Sequence, residues 1–163
     1  MGSRGSVIPL FLNKHLEGKK LPLTDERMTR FNISLEEAIQ LVFKSLQKSN
    51  SGEIFIPKIP SFKIVDLIKA ISPQNKNEVI GIRPGEKIHE ELVSVYEGYN
   101  TVELKDCYLI LPTNNPSEIE KYCKKHKAKK VKNGFSYTSQ NNSHFLSESD
   151  IRKIIKKNFT SSE

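Results

Sequence analysis

Four short stretches of this chain carry residues whose types and spacing could do chemistry. The first is Arg4-Gly5-Ser6-Val7-Ile8-Pro9. A glycine beside an arginine lets backbone amides approach an anion while the guanidinium forks onto its oxygens. A Gly-Ser pair near a terminus is equally an ordinary flexible stretch. The second, Thr24-Asp-Glu-Arg-Met-Thr-Arg30-Phe31, puts Arg27, Thr29 and Arg30 just ahead of a predicted helix start, where partial positive charge already favours an anion. The competing reading is a polar loop whose arginines pair with Asp25 and Glu26.

The third stretch is Gly81-Ile-Arg-Pro-Gly-Glu-Lys-Ile-His-Glu90. Arg83 follows a short predicted strand at 79–82, at the strand end where open α/β sheets place ligand groups, and Pro84-Gly85 supplies the turn that aims it. Glu86, His89 and Glu90 bring acid–base groups close together. They lack the second histidine of a zinc-protease helix, so no metal site is expected. The fourth, Tyr137-Thr-Ser-Gln-Asn-Asn-Ser-His-Phe-Leu146, could hold a base or sugar by hydrogen bonds and stacking, or serve as a plain loop with Phe145 stapled to the next helix. The sequence contains no nucleophile elbow, Walker A loop or G-x-G-x-x-G, and none of its five tyrosines is followed by lysine four positions on. No catalytic residue is assigned.

The elements that must position these stretches are legible in outline. Ser34 and Glu37 predict a capping box opening a helix over 34–48, with Leu35, Ile39, Val42, Phe43 and Leu46 on one face. A strand is predicted at 53–57. Ser61 is read as the cap of a second helix with Ile64, Leu67, Ile68 and Ile71 as its buried stripe, stopped before Pro73. Strands at 101–104 and 107–111 make a hairpin, Asn115-Pro116 opens a polar helix, and a strand is predicted at 135–138. Ser147 and Asp150 cap a last helix carrying Ile151, Ile154, Ile155 and Phe159. Alternating helices and strands predict an α/β fold. The apolar run from Val7 to Leu12 has no cap or strand ahead of it, which reads as a surface built to meet an upstream segment.

Composition sets the outer bounds. The chain has 163 residues, 36% of them hydrophobic and 28% charged, which excludes collagen, a disulfide scaffold and a wholly disordered chain. No apolar run approaches the roughly 20 residues of a membrane span, and the start lacks a secretory signal. A cytoplasmic protein without membrane partners is therefore expected. Its two cysteines, Cys107 and Cys123, fit neither a disulfide framework nor a metal cage. Lys and Arg exceed Asp and Glu by 26 to 19. The excess gathers in KYCKKHKAKKVK, which could neutralise phosphates or simply form a solvated helical face. No zinc-finger or RNA-binding motif accompanies it, so no nucleic-acid partner is expected.

Taken together, GSRGSVIPLFL, LTDERMTRF, GEIFIPKIPSFKIVDL, IGIRPGEKIHEEL and SYTSQNNSHFL resemble, in this order, the inverting UDP-N-acetylglucosamine 4,6-dehydratases of the extended short-chain dehydrogenase superfamily. The resemblance covers nearly the whole chain. It implies an α/β fold corresponding to the C-terminal, substrate-binding portion (1–163), without the Rossmann NADP-binding domain that comes first in the family, so that Met1 matches an internal position. It further implies that Arg4, Gly5, Ser6, Val7 and Ile8 line a UDP-sugar site and that Lys20 contributes. Arg83 would clamp the pyrophosphate, and Ser143, His144, Phe145 and Leu146 would close over the nucleotide. In the complete enzyme hydride leaves sugar C4 for NADP, water is lost across C5–C6 with inversion at C5, and hydride returns to C6. NADP and the catalytic Asp, Lys and Tyr belong to the preceding half, so this chain alone is expected to bind no cofactor and to be non-catalytic. Its expected partners are a UDP-sugar and either an N-terminal half or further copies. A non-catalytic UDP-sugar-binding or assembly module, and a fragment of a capsule-type nucleotide-sugar epimerase, are the alternatives. Related capsule epimerases tend to carry histidine where Pro84 stands, and Asn32 departs from the tryptophan usual after Phe31.

Overall fold

The computed structural model describes residues 7–50, 52–74 and 77–159. In chain order the elements are α1 (Val7–Leu16), β1 (Pro22–Leu23), β2 (Thr29–Phe31), α2 (Leu35–Lys48), β3 (Ile54–Pro57), β4 (Ser61–Lys63), α3 (Ile64–Ile71) and β5 (Glu78–Val79). They continue with β6 (Glu91–Val93), a 3₁₀ turn at Glu97–Asn100, β7 (Thr101–Glu103), β8 (Cys107–Ile110), α4 (Pro116–His126), β9 (Lys129–Lys130), β10 (Tyr137–Thr138) and α5 (Glu148–Phe159). They sort into two compact units. One takes Met1–Asn32, Pro60–Glu90 and Asn142–Glu163; the other takes Ile33–Ile59 and Glu91–Asn141.

The first unit is built on helices. Ile64, Leu67, Ile68 and Ile71 recur at 3.6-residue spacing along α3, and all four are buried, together with Ile8 and Phe11 of α1 and Ile151 of α5. The apolar run near the start is thus a helix whose Ile8 and Phe11 are covered within this unit. Two small ladders flank this core. β1 runs parallel to β5, with Pro22 opposite Glu78 and Leu23 opposite Val79. β2 runs antiparallel to β4, with Thr29, Arg30 and Phe31 opposite Lys63, Phe62 and Ser61. Ser61 is therefore a strand residue and not a helix cap. Lys63 stands at the cap position of α3 and makes no side-chain bond, since an ammonium has no acceptor for the first-turn amides, and the Ser61 hydroxyl is engaged by Asn142.

The second unit is a four-stranded antiparallel sheet in the order β3-β8-β7-β9, with a separate β6–β10 pair. The predicted hairpin is its centre. Val102, Cys107, Leu109, Leu111 and Ile119 form its buried cluster, and Phe55, Tyr122 and Cys123 pack against it, so α4 covers one sheet face. Burial raises both thiols above their ordinary pKa. The lysine-rich run proves to be the last turns of α4, where Tyr122 and His126 stack at 4.3 Å, followed by the exposed edge strand β9. Around Tyr108, Phe135 and Tyr137 lie at ring-centroid distances of 4.9 and 5.1 Å. The Tyr137 hydroxyl bonds both the N–H and the carbonyl of Ile59.

Candidate functional site

Every described residue of the expected UDP-sugar site falls in the first unit. The β2–β4 ladder is the frame from which two of its loops hang. On the β2 side, the segment 83–90 is tied down by a dense polar network. Thr29 N–H donates to the Ile88 carbonyl at 3.1 Å, and the Thr29 hydroxyl meets His89 Nδ1 at 2.8 Å. Arg30 sends Nη1 to the carbonyls of Thr29 and Ile88, at 2.8 and 2.9 Å, and its Nε lies 3.7 Å from Glu90. Glu90 also accepts the Phe31 N–H at 2.7 Å, and the Thr24 hydroxyl reaches Glu86 at 3.4 Å. Glu86, His89 and Glu90 thus hold the loop in place. Among the described residues no cluster of His, Cys, Asp and Glu suits a metal ion.

His89 is held below the ordinary histidine pKa, first by burial and then by the charges of Arg27 and Arg30. Arg27 is committed to Asp25, donating Nε and Nη2 to its two oxygens at 3.0 and 2.7 Å. These bonds, with that from the Arg27 amide, take the Asp25 carboxyl down to about 2. Arg83 differs from both of these arginines. It sits exposed on a turn between Gly81 and Gly85, both at φ +80°, and its guanidinium makes no ion pair among the described residues.

On the β4 side, Ser61 is a completely buried node. Its N–H donates to the His144 carbonyl at 2.9 Å, its carbonyl accepts the Leu146 N–H at 2.8 Å, and its hydroxyl accepts the Asn142 amide at 2.9 Å. Phe145 thereby becomes a parallel bridge partner of Ser61. Leu146 packs on the core that includes Ile151 of α5, so the aliphatic residue, and not Phe145, occupies the staple position. Ser143, His144 and Phe145 are exposed.

The structure does not bring all the expected residues into one place. Arg4, Gly5 and Ser6 lie outside the described residues. Val7 packs partly, and Ile8 almost completely, into the core, so the Ile8 side chain positions α1 rather than presenting itself to a ligand. Lys20 is exposed just before β1, whereas Arg83 follows β5, so the two stand beyond opposite ends of one parallel pair. Sequence reasoning missed Ser61 and the roles of Thr29 and Arg30. The adjacency of TDERMTRF and RPGEKIHE in the fold has no local signature. A cavity of about 580 Å³ lies beside Glu26, Arg27, Lys63 and Lys69, and none of the residues expected at the sugar site lines it. The Asn32 side-chain oxygen is buried without a partner, where the resemblance expects an indole; such an orphan costs about 1–3 kcal/mol.

Comparison with known proteins bears on the family and the fold. A family model described as polysaccharide biosynthesis protein matches residues 1–112. A UDP-N-acetylglucosamine 4,6-dehydratase (inverting) of Campylobacter jejuni is 44% identical over 160 residues, which are 95% of this chain and 48% of that protein. A UDP-glucose 4-epimerase of Rickettsia rickettsii is 38% identical, over 95% of this chain and 46% of its own length. The crystal structure of Pen from Bacillus thuringiensis superposes with a TM-score of 0.76 at 35% identity, covering 96% of this chain and 46% of that one. The chain thus spans about half the length of the curated relatives it matches. It belongs to the polysaccharide biosynthesis protein family, as a C-terminal portion of the extended short-chain dehydrogenase fold.

Proposed function

We propose that this chain supplies the UDP-sugar-holding portion of an inverting UDP-N-acetylglucosamine 4,6-dehydratase. One observation carries the reading. Arg27 and Arg30 are both committed to carboxylates or carbonyls, and Arg83 alone of the three is left uncommitted, on an exposed, glycine-flanked turn. A guanidinium so placed suits bidentate contact with a diphosphate. Ser143 to Leu146 close over the nucleotide from the Ser61 anchor, and Arg4 to Val7 complete the site, with Ile8 holding α1 in place. No step of the chemistry is assigned to these residues; their contribution is binding and orientation.

NADP is the cofactor proposed for a complete enzyme of this type. The residues described here do not fit a dinucleotide cradle, since the glycines at positive φ (Gly18, Gly52, Gly81, Gly85 and Gly134) lie in turns and none opens a helix. The Rickettsia relatives named as epimerases support a second reading, in which the same site serves a nucleotide-sugar epimerase.

Calorimetric titration of UDP-N-acetylglucosamine into the full chain tests the binding claim. Heat is expected, with affinity that weakens in salt. Arg83→Ala should weaken binding by about 10- to 150-fold, corresponding to about 1.5–3 kcal/mol for a charge-assisted bond. Unchanged affinity in that variant removes Arg83 from the site, and no binding at all sinks the reading. Product analysis after adding the first half of the Campylobacter relative separates dehydratase from epimerase.

A further inference from the structure

The lysine-rich run differs from most other basic residues of the molecule in having no acidic partners. Between Lys121 and Lys132 the chain carries seven lysines. None of them makes an ion pair among the described residues, whereas Lys19, Lys44, Lys58 and Lys153 each do, as do Arg27, Arg30 and Arg152. A lysine or two is enough to keep an edge strand such as β9 from pairing further. The remaining charge is uncompensated, and its self-repulsion is relieved when an anion binds.

Part of this charge converges on a concavity. Val131 is buried, so its neighbours Lys130 and Lys132 project from the other side of the extended chain. Together with Lys129 they line a cavity of about 620 Å³, which the turn at 132–135 also borders. That turn is closed by the Phe135 N–H, which donates to the Lys132 carbonyl at 3.1 Å, and Gly134 takes the φ of +76° that it requires. The N–H groups of Asn133 and Gly134 are left without a hydrogen bond among the described residues, and both residues line the same cavity. The only carboxylate lining it, Glu103, is already neutralised by Lys58 Nζ at 2.6 Å.

The residue types select the ligand. Ammonium groups are compact point charges without the planar fork of arginine, so they suit dense anionic charge rather than bidentate pairing. The aromatic ring at the cavity, Phe135, is packed against Tyr108 at 4.9 Å between centroids and is not free to stack a base. The volume is that of a small-ligand site, and a cleft dominated by one sign of charge concentrates the opposite ion. We propose that this cavity is an anion site of the second unit, taking a soluble ligand with two or more adjacent phosphoryl groups. Lys130 and Lys132 neutralise those groups, Lys129 adds charge from the strand edge, and the Asn133 and Gly134 amides donate to phosphate oxygens. The site lies in the other unit from Arg83 and stands whether or not the first unit binds a UDP-sugar.

Titration of inorganic tripolyphosphate into the full chain, followed by calorimetry and by amide chemical shifts, tests this. Saturable binding is expected, with the Asn133 and Gly134 amides shifting. Lys130→Gln and Lys132→Gln should each weaken it by about tenfold. Lys124→Gln removes the same charge from α4, away from the cavity, and should change affinity by less than about twofold. Arg83→Ala should leave the Asn133 and Gly134 shifts in place. Because all of these side chains are exposed, the variants are expected to fold, and circular dichroism checks this. Absence of binding overturns the proposal. A loss in Lys124→Gln equal to that in Lys132→Gln shows diffuse surface charge and overturns it, and disappearance of the shifts in Arg83→Ala does the same by placing the phosphate in the first unit. Capture of the chain by phosphatidylglycerol vesicles or by single-stranded RNA, without saturable tripolyphosphate binding, assigns the lysines to a macromolecular surface and overturns it equally.

Discussion

Helices α3 and α2 carry comparable apolar stripes at the same spacing, yet they meet opposite fates. α3 buries Ile64, Leu67, Ile68 and Ile71 in the core of the first unit, while α2 buries none of its apolar residues. The difference does not lie in local design. α2 has the better start, since Ser34 accepts the Glu37 N–H at 3.1 Å and Glu37 accepts the Ser34 N–H at 2.8 Å. α3 has no side-chain cap at all. One helix is held by tertiary packing and the other by its own terminus. Periodicity therefore reports that a face needs cover, and the packing of the unit decides whether the cover is present.

Substitutions on each helix should sharpen that contrast. The largest effect is expected at Leu67, fully buried on α3. Leu67→Ala should cost about 2–5 kcal/mol in denaturant unfolding, whereas Leu46→Ala on α2 should stay within about 0.5 kcal/mol. Similar losses at both positions would mean that α2 is packed after all. Next comes the cap. Ser34→Ala should cost about 1 kcal/mol, read as loss of helicity and a lower midpoint, because α2 has little else to hold it.

The smallest effect concerns pH and belongs to the first unit. His89 is depressed below its ordinary value of 6.5, so the unfolded chain takes up the proton first. The associated stability is fully present above pH 6.5 and is lost as pH falls through the lower folded value. His89→Gln should flatten this decline while keeping a partner for Thr29, as followed by unfolding midpoints across the pH series. The Asp25 contribution lies in a separate, more acidic window, present above 3.8 and lost as pH falls towards about 2. An unaltered slope in His89→Gln would show that another group titrates there.

Much of the frame could be read from residue patterns. Capping residues located α2, α4 and α5, since Ser34, Asn115 and Ser147 all accept backbone N–H groups as expected. The hairpin of β7 and β8 was equally plain. Two-residue strands such as β1, β5 and β9 carry no period to detect, and β2 is only three residues long. Ser61 was misread because a serine three positions before an apolar run resembles a cap, and its true partners are more than 80 residues away. At the candidate site the arginines were visible as residue types. The commitment of Arg27 to Asp25 is local and legible, whereas that of Arg30 depends on a segment about 60 residues away, which no local pattern encodes.

The Ser61 node also says something about how the chain is made. Its amide partner Asn142 lies 81 positions later, with three of the four strands of the second unit's sheet between them. Contacts of such separation close late, because the loop entropy must be met before the bonds form. During synthesis, a chain that has reached residue 141 already has every strand of that sheet, but neither the 142–146 loop nor α5 to complete the first unit. The candidate binding site therefore comes into being after the sheet, and a chain halted at residue 141 would hold a sheet and no site.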